Sequence, residues 1–240
     1  MEIIYLILVI IGYIINLGFG DILRYDFHTH TIFSDGELIP SELVRRAIVL
    51  EHRAIGITDH ADASNYKELI EKNTLAKEEL SNYWGDIEIV VGVELTHIPP
   101  KSIPKMARKC KDEGAEIVLV HGETPVEPVA EKTNYYASSS EDVDILAHPG
   151  LIDIETAQNA LENNIFFEIT SRKGHSLTNG HVVSVARELK IPMVINTDTH
   201  APSDLITYEF ARKVGLGAGM SFRELENSLT TNPLEILKRI

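Results

Sequence analysis

From Arg24 onward, short apolar runs alternate with longer segments whose apolar residues recur at helical spacing. RYDFHTH (24–30), AIGITDH (54–60), IEIVVGVEL (87–95), AEIVLVHG (115–122), DILAHPG (144–150), IFFEIT (165–170) and PMVINTDTH (192–200) read as strands. Between them PSELVRRAIVLEH, YKELIEKNTLAKEELSNY, IPKMARKCKDEG, IETAQNALENN and HVVSVARELK read as helices, with a further one expected within VEPVAEKTNYYASS. SDLITYEFARKVG and SFRELENSLTTNPLEILKRI continue the helical pattern after the last strand. Ser221 followed by Glu224 predicts a capping box, and Asn232-Pro233 predicts a cap before a first-turn proline. Gly114 suits a helix end that needs positive φ.

Repeated strand–helix units with hydrophobic strands predict a parallel sheet covered by helices. The pattern alone fits either a doubly wound sheet or a closed barrel. No glycine-rich phosphate loop follows the first strand, which counts against the dinucleotide-binding form. The titratable residues favour the barrel. Every predicted strand ends in at least one: His28 and His30, Asp59 and His60, Glu94, His121, His148, Glu168, then Asp198 and His200. A barrel gathers its strand C-termini into one mouth, whereas an open sheet spreads them along a line. His28 and His30 stand two apart, so on a strand both imidazoles face the same space.

Ten histidines against one tryptophan and one cysteine direct attention to imidazole chemistry. The net charge of −14 argues against a general nucleic-acid surface, so nucleic acid is not expected as a partner. A small phosphorylated substrate stays open, because bound cations reverse the local field of an acidic protein. Cys110 is expected as a partly buried helix thiol. Residues 1–20 are almost wholly apolar, near the ~20 residues that a membrane span needs, and lack a cleavable signal's basic start. They fit a membrane anchor, a buried helix or a misassigned start, with residues 21–240 forming the barrel domain on the cytoplasmic side. The sequence leaves the oligomeric state undetermined.

Imidazoles and carboxylates in this number suit Zn²⁺, Mn²⁺ or Fe²⁺, and are too many for a single tetrahedral ion. Two or three ions would pair the charges and polarise a phosphoryl group. The ordered set HTHTIFSDG, ITDH, GVE, VHG, AHPG and NTDTH resembles the PHP (polymerase and histidinol phosphatase) family across Arg24 to His200. The resemblance implies an α/β fold, a distorted (β/α)7 TIM-like barrel with its metal site at the C-terminal mouth. It implies hydrolysis of a phosphate monoester, as in histidinol phosphatases, by metal-held hydroxide. Carried over by motif, His28, His30 and Asp198 hold a first metal; Glu94 bridges it to a second, completed by His121 and His148. Asp35, His60 and His200 hold a third. Glu94 and Asp198 are thus the expected catalytic centre, and Arg172, in SRKGHSLTNGH, is the expected phosphate-binding cation, ahead of Lys173 and His175.

Asp26 and Asp59 are expected to orient ligand imidazoles, and Glu168 either does the same or ends its strand in solvent. His52 is expected at a helix C-terminus, His97 in a loop and His181 in a helix without a partner. The alternatives are a nucleotide phosphatase or nuclease of the same family, an amidohydrolase-type C–N hydrolase, and a non-catalytic barrel. Against the amidohydrolase stands Glu94, at a strand end where a carbamylated lysine would be sought.

Overall fold

The computed structural model describes residues 23–240. The hydrophobic segment 1–20, with the anchor expected there, lies outside them. No helix among the described residues is long and apolar enough to cross a membrane.

Eight strands form one parallel sheet: β1 (Arg24–Asp26), β2 (His52–Ile57), β3 (His60–Ala61), β4 (Glu88–Leu95), β5 (Ile117–His121), β6 (Ile145–Ala147), β7 (Phe166–Thr170) and β8 (Met193–Asn196). The order is β1-β2-β4-β5-β6-β7-β8, with β3 paired only to β4. Ala54–Ile57 pair with Glu88–Val91, and His60–Ala61 pair with Glu94–Leu95 farther along the same strand. β2 and β3 are therefore one stave interrupted at Thr58-Asp59, which reconciles eight strands with seven expected units. A parallel bridge between Thr29 and Thr199 brings the first and last strands together. The result is a nearly closed, distorted barrel.

Helices α1 (Pro40–Val49), α2 (Tyr66–Ser81), α3 (Ile103–Asp112), α4 (Thr133–Ser138), α5 (Ile154–Glu162), α6 (Asn179–Leu189) and α7 (Tyr208–Gly217) cover the sheet. The capping box at Ser221 opens α8 (Phe222–Glu226), which runs through a π turn (Asn227–Thr231) into α9 (Asn232–Leu237). Asn232 makes no cap, because the chain enters it already helical; its amide instead donates to Met193 O at 2.7 Å. Gly114 takes φ +107° at the end of α3, as expected. Cys110 is fully buried on α3, and burial pushes its thiol up to about 12.

Alternation along the strands explains where the chemistry falls. Tyr25, Val90, Ile117, Leu119, Phe166 and Val194 belong to an interior cluster that Ile236 of α9 joins. Following the same faces toward the strand ends, Val90 leads through Gly92 to Glu94, Leu119 to His121, Phe166 to Glu168 and Val194 through Asn196 to Asp198. One face thus turns from oily floor to polar mouth. Gly92 is required there: a Cβ would sit 2.3 Å from Ile117 O.

His52 departs from expectation. α1 ends at Val49 and His52 opens β2, buried beside Arg24. Burial, with the Arg24 charge adding, pushes its imidazole down to about 3, so it is a neutral core residue rather than a partner of a helix dipole.

Candidate metal centre

β1 is shorter than its apolar run, ending at Asp26, so His28 and His30 lie beyond the regular strand on either side of the Thr29–Thr199 bridge. Their rings still face a common space, with centroids 5.1 Å apart. Glu94 occupies the middle of the mouth. Its Oε1 is 3.2 Å from His28 Nε2 and 3.6 Å from His148 Nε2; its Oε2 is 2.7 Å from His60 Nδ1 and 3.7 Å from His30 Nε2. Across from it, Asp198 Oδ1 is 3.2 Å from His30 Nε2 and 3.4 Å from His200 Nδ1, and Oδ2 is 3.7 Å from His148 Nε2. Asp35, swung in by the Ser-Asp-Gly turn, reaches His60 Nε2 at 3.5 Å and His200 Nε2 at 3.2 Å. His121 packs edge-on against His148 at 4.4 Å between centroids.

All nine residues expected as ligands therefore converge on one mouth. Potential ligand atoms cluster within 4.8 Å of one another in five groups among the described residues: His28, His30 and Glu94; His28, His148 and Asp198; His30, Asp35, His60 and His200; His121, His148 and His175; and, at the exposed rim, His97, His121 and Glu127. Buried atoms without a hydrogen-bond partner among the described residues include both ring nitrogens of His30 and His148, His28 Nε2, Glu94 Oε1 and Asp198 Oδ1. Polar atoms this deep normally have partners, and a shared cation satisfies imidazole and carboxylate lone pairs at once. The residues fit divalent metal ions.

The electrostatics have the same character. Burial pushes His30 and His148 well below the ordinary imidazole range, with neighbouring rings adding to it, so both present neutral nitrogens. Burial opposes charge on His28 too, but Glu168, Glu94 and Asp198 outweigh it and hold His28 well above that range. Burial would raise Glu94, yet His28 and His60 keep it well below the usual carboxylate range. Asp198 is pushed up to about 7 by burial and by the Glu94 and Glu168 charges, against the pull of His28 and His200. The backbone is strained at two of these positions: His148 has φ 28° and Asp198 φ 54°, conformations that cost roughly 1–3 kcal/mol each in a non-glycine residue.

Residues around the mouth revise several expectations. Glu168 is fully buried, and its Oε2 lies 2.7 Å from His28 Nδ1 while accepting from Asn196 Nδ2. Asp26 holds main chain rather than an imidazole, accepting from His28 N and Thr197 N beside buried Arg24. Asp59 likewise contacts no ring. It accepts from Thr31 N, Ser34 Oγ and Asn73 Nδ2, and so fixes the turn that carries Asp35. The isolated sequence could not distinguish a carboxylate serving a ring from one serving a turn. His181 has a partner after all, Ile152 O at 2.7 Å from its Nε2. Arg172 lies beside the centre, with Nη1 donating to Asp198 O and Asp204 Oδ2 at 3.2 and 3.1 Å. A cavity of about 730 Å³ opens next to it, lined in part by Lys173, Thr197, Asp204 and Phe210.

Two neighbours of the centre were not among the expected metal ligands: His175, named only as a weaker phosphate-binding cation, and Glu127, not named at all. His175 is buried and stacks on His148 at 4.3 Å, although it lies on a 3-10 turn, His175–Thr178, rather than a strand end. Glu127, on the loop after β5, comes within 3.2 Å of both His121 Nε2 and His175 Nε2 and within 3.3 Å of His97 Nε2. Loop residues carry no periodicity to announce them.

Residues 26–133 match the PHP domain family. Over 218 residues, 91% of this chain and 100% of the relative, the sequence is 74% identical to the uncharacterized protein MJ1295 of Methanocaldococcus jannaschii. A shorter stretch of 84 residues, 30% of this chain and 29% of the relative, is 38% identical to the 5′-3′ exoribonuclease Rnm of Escherichia coli. Among solved structures, a chain of archaeal ribonuclease P with mature tRNA shares the fold, with a TM-score of 0.61 at 18% identity over 90% of this chain and 87% of that one.

Proposed function

We propose, on the premise that this chain belongs to the PHP family, that it hydrolyses a small phosphate monoester at the mouth of its barrel. Membership makes it a metal-dependent phosphoesterase; the substrate and the ligand assignments are the further reading. One observation carries that reading: buried imidazole and carboxylate atoms without partners crowd around Glu94 and Asp198. His28, His30 and Asp198 would hold one ion, Glu94, His121 and His148 a second, and Asp35, His60 and His200 a third. When bound, two or three Zn²⁺, Mn²⁺ or Fe²⁺ ions polarise a phosphoryl group and make hydroxide available near neutral pH. The chain supplies the rest. Glu94 and Asp198 set opposite walls of the centre, Glu168 fixes the His28 ring, and Arg172 presents a guanidinium where phosphoryl oxygens would emerge. The adjoining cavity has room for the alcohol part of the ester.

Phosphate release tests this. Metal-loaded protein would be offered histidinol phosphate, nucleoside monophosphates and p-nitrophenyl phosphate, separately with Mn²⁺, Zn²⁺ and Fe²⁺. Turnover of one ester far above the rest supports the monoesterase and names its class, whereas metal-loaded protein inert on every ester overturns it. The partial identity to an exoribonuclease favours a second reading, removal of nucleotides from a 5′-phosphorylated RNA end. It runs against the expectation drawn from the −14 net charge. A short 5′-phosphorylated oligoribonucleotide in the same panel separates the two, because only the nuclease shortens it.

A further inference from the structure

We propose that His175 is a metal ligand, so that the position flanked by His121 and His148 takes three imidazoles and selects a borderline-soft ion such as Zn²⁺. This rests on the metal-centre reading and deepens it at one position. The geometry is specific. Potential ligand nitrogens of His121, His148 and His175 lie within 4.8 Å of one another, and all three residues are buried. The other nitrogen of His175 is occupied: Nδ1 lies 2.9 Å from Thr124 Oγ1, and that contact fixes the ring and leaves Nε2 facing the cluster. The chain takes trouble to put the ring there, since Gly174, at φ +93°, turns the backbone into the 3-10 segment that carries it.

Glu127 completes the picture. Its two oxygens reach Nε2 of His121 and of His175, each at 3.2 Å, and its loop leaves it partly exposed. A carboxylate poised over two inward-facing imidazoles can move onto an ion bound between them. Three nitrogens favour Zn²⁺ or Co²⁺ over Mn²⁺, which prefers oxygen donors. The Asp35, His60 and His200 position, by contrast, mixes imidazole with an exposed carboxylate and has no such bias.

The test compares full-length wild type, His175→Ala and Thr124→Val, each stripped of metal and titrated with Zn²⁺ by calorimetry and with Co²⁺ by visible absorption. His175→Ala should lose one tight Zn²⁺ equivalent, or weaken it tenfold or more, and change the Co²⁺ ligand-field bands. Thr124→Val, which keeps the imidazole and loses only its anchor, should retain the stoichiometry with an affinity loss of intermediate size. Wild-type Zn²⁺ stoichiometry, affinity and Co²⁺ spectrum in His175→Ala overturn the proposal while leaving the metal centre standing. Wild type that binds no metal removes both. Should His175→Ala fail to fold, Thr124→Val decides: unchanged Zn²⁺ affinity in it overturns the proposal.

Discussion

Glu168 Oε2 stands 2.7 Å from His28 Nδ1, a carboxylate of the sixth predicted strand tied to an imidazole of the first past the intervening β8. The contact fixes the His28 ring and leaves its Nε2 facing Glu94 and Asp198. Glu168→Gln keeps the shape and removes the charge. Metal affinity should fall about 10–100-fold with the fold intact, as seen for carboxylates behind ligating histidines. Calorimetric metal titration, paired with circular dichroism, checks it; an unaltered affinity would assign Glu168 to packing alone.

His148 lies at the junction of two ligand groups, facing Glu94 and Asp198 from one side and His121 and His175 from the other. His148→Ala should cost at least one bound ion and nearly all phosphoester hydrolysis. Elemental analysis and phosphate release measure the two losses. Full metal content together with wild-type turnover would refute the ligand assignment.

Arg172 divides its guanidinium between Asp198 and Asp204 at the edge of the cavity. Arg172→Ala should lower kcat/KM by about tenfold or more, chiefly through a raised KM, and Arg172→Lys should recover little because an ammonium cannot reproduce the fork. Steady-state kinetics on the best ester decide this. A loss confined to kcat would point instead to displacement of Asp198.

His52 predicts a pH effect remote from the metals. Its folded pKa, about 3, lies below the ordinary value of 6.5, so between the two the unfolded chain binds the extra proton. Stability from this group is complete above pH 6.5 and is lost as pH falls toward 3, by up to about 1.4 kcal/mol per unit. His52→Leu removes that dependence. Urea midpoints at pH 7, 6 and 5 should therefore fall more steeply for wild type than for the variant, and parallel slopes would contradict it.

Strand periodicity made the barrel legible, since each apolar run carried its titratable residue at the same end. The ligand candidates were legible for the same reason: Glu94, His121 and Asp198 continue the alternation of Val90, Leu119 and Val194. What the pattern could not supply lay in tertiary contacts. Nothing near Asp59 in sequence announces that it serves Thr31 and Ser34, and His52 looked like a helix end because α1 and β2 are separated only by Leu50 and Glu51. His175 and Glu127 come from loops, where position is set by turns and glycines rather than by repeat.

The bridge between Thr29 and Thr199 joins the two ends of the barrel's strand order, and it is flanked by His28 and His30 on one side and Asp198 and His200 on the other. The seam that closes the cylinder is thus built from candidate ligands, and an ion held across it would staple the first strand to the last. Metal loading would then add stability that grows with the logarithm of its free concentration over its dissociation constant. Stripping the ions should loosen the seam before the opposite wall, so amide exchange at His30 and Thr199, whose N–H groups donate across it to Thr199 O and His28 O, becomes a gauge of occupancy. Catalytic competence and the integrity of the cylinder would rise and fall together.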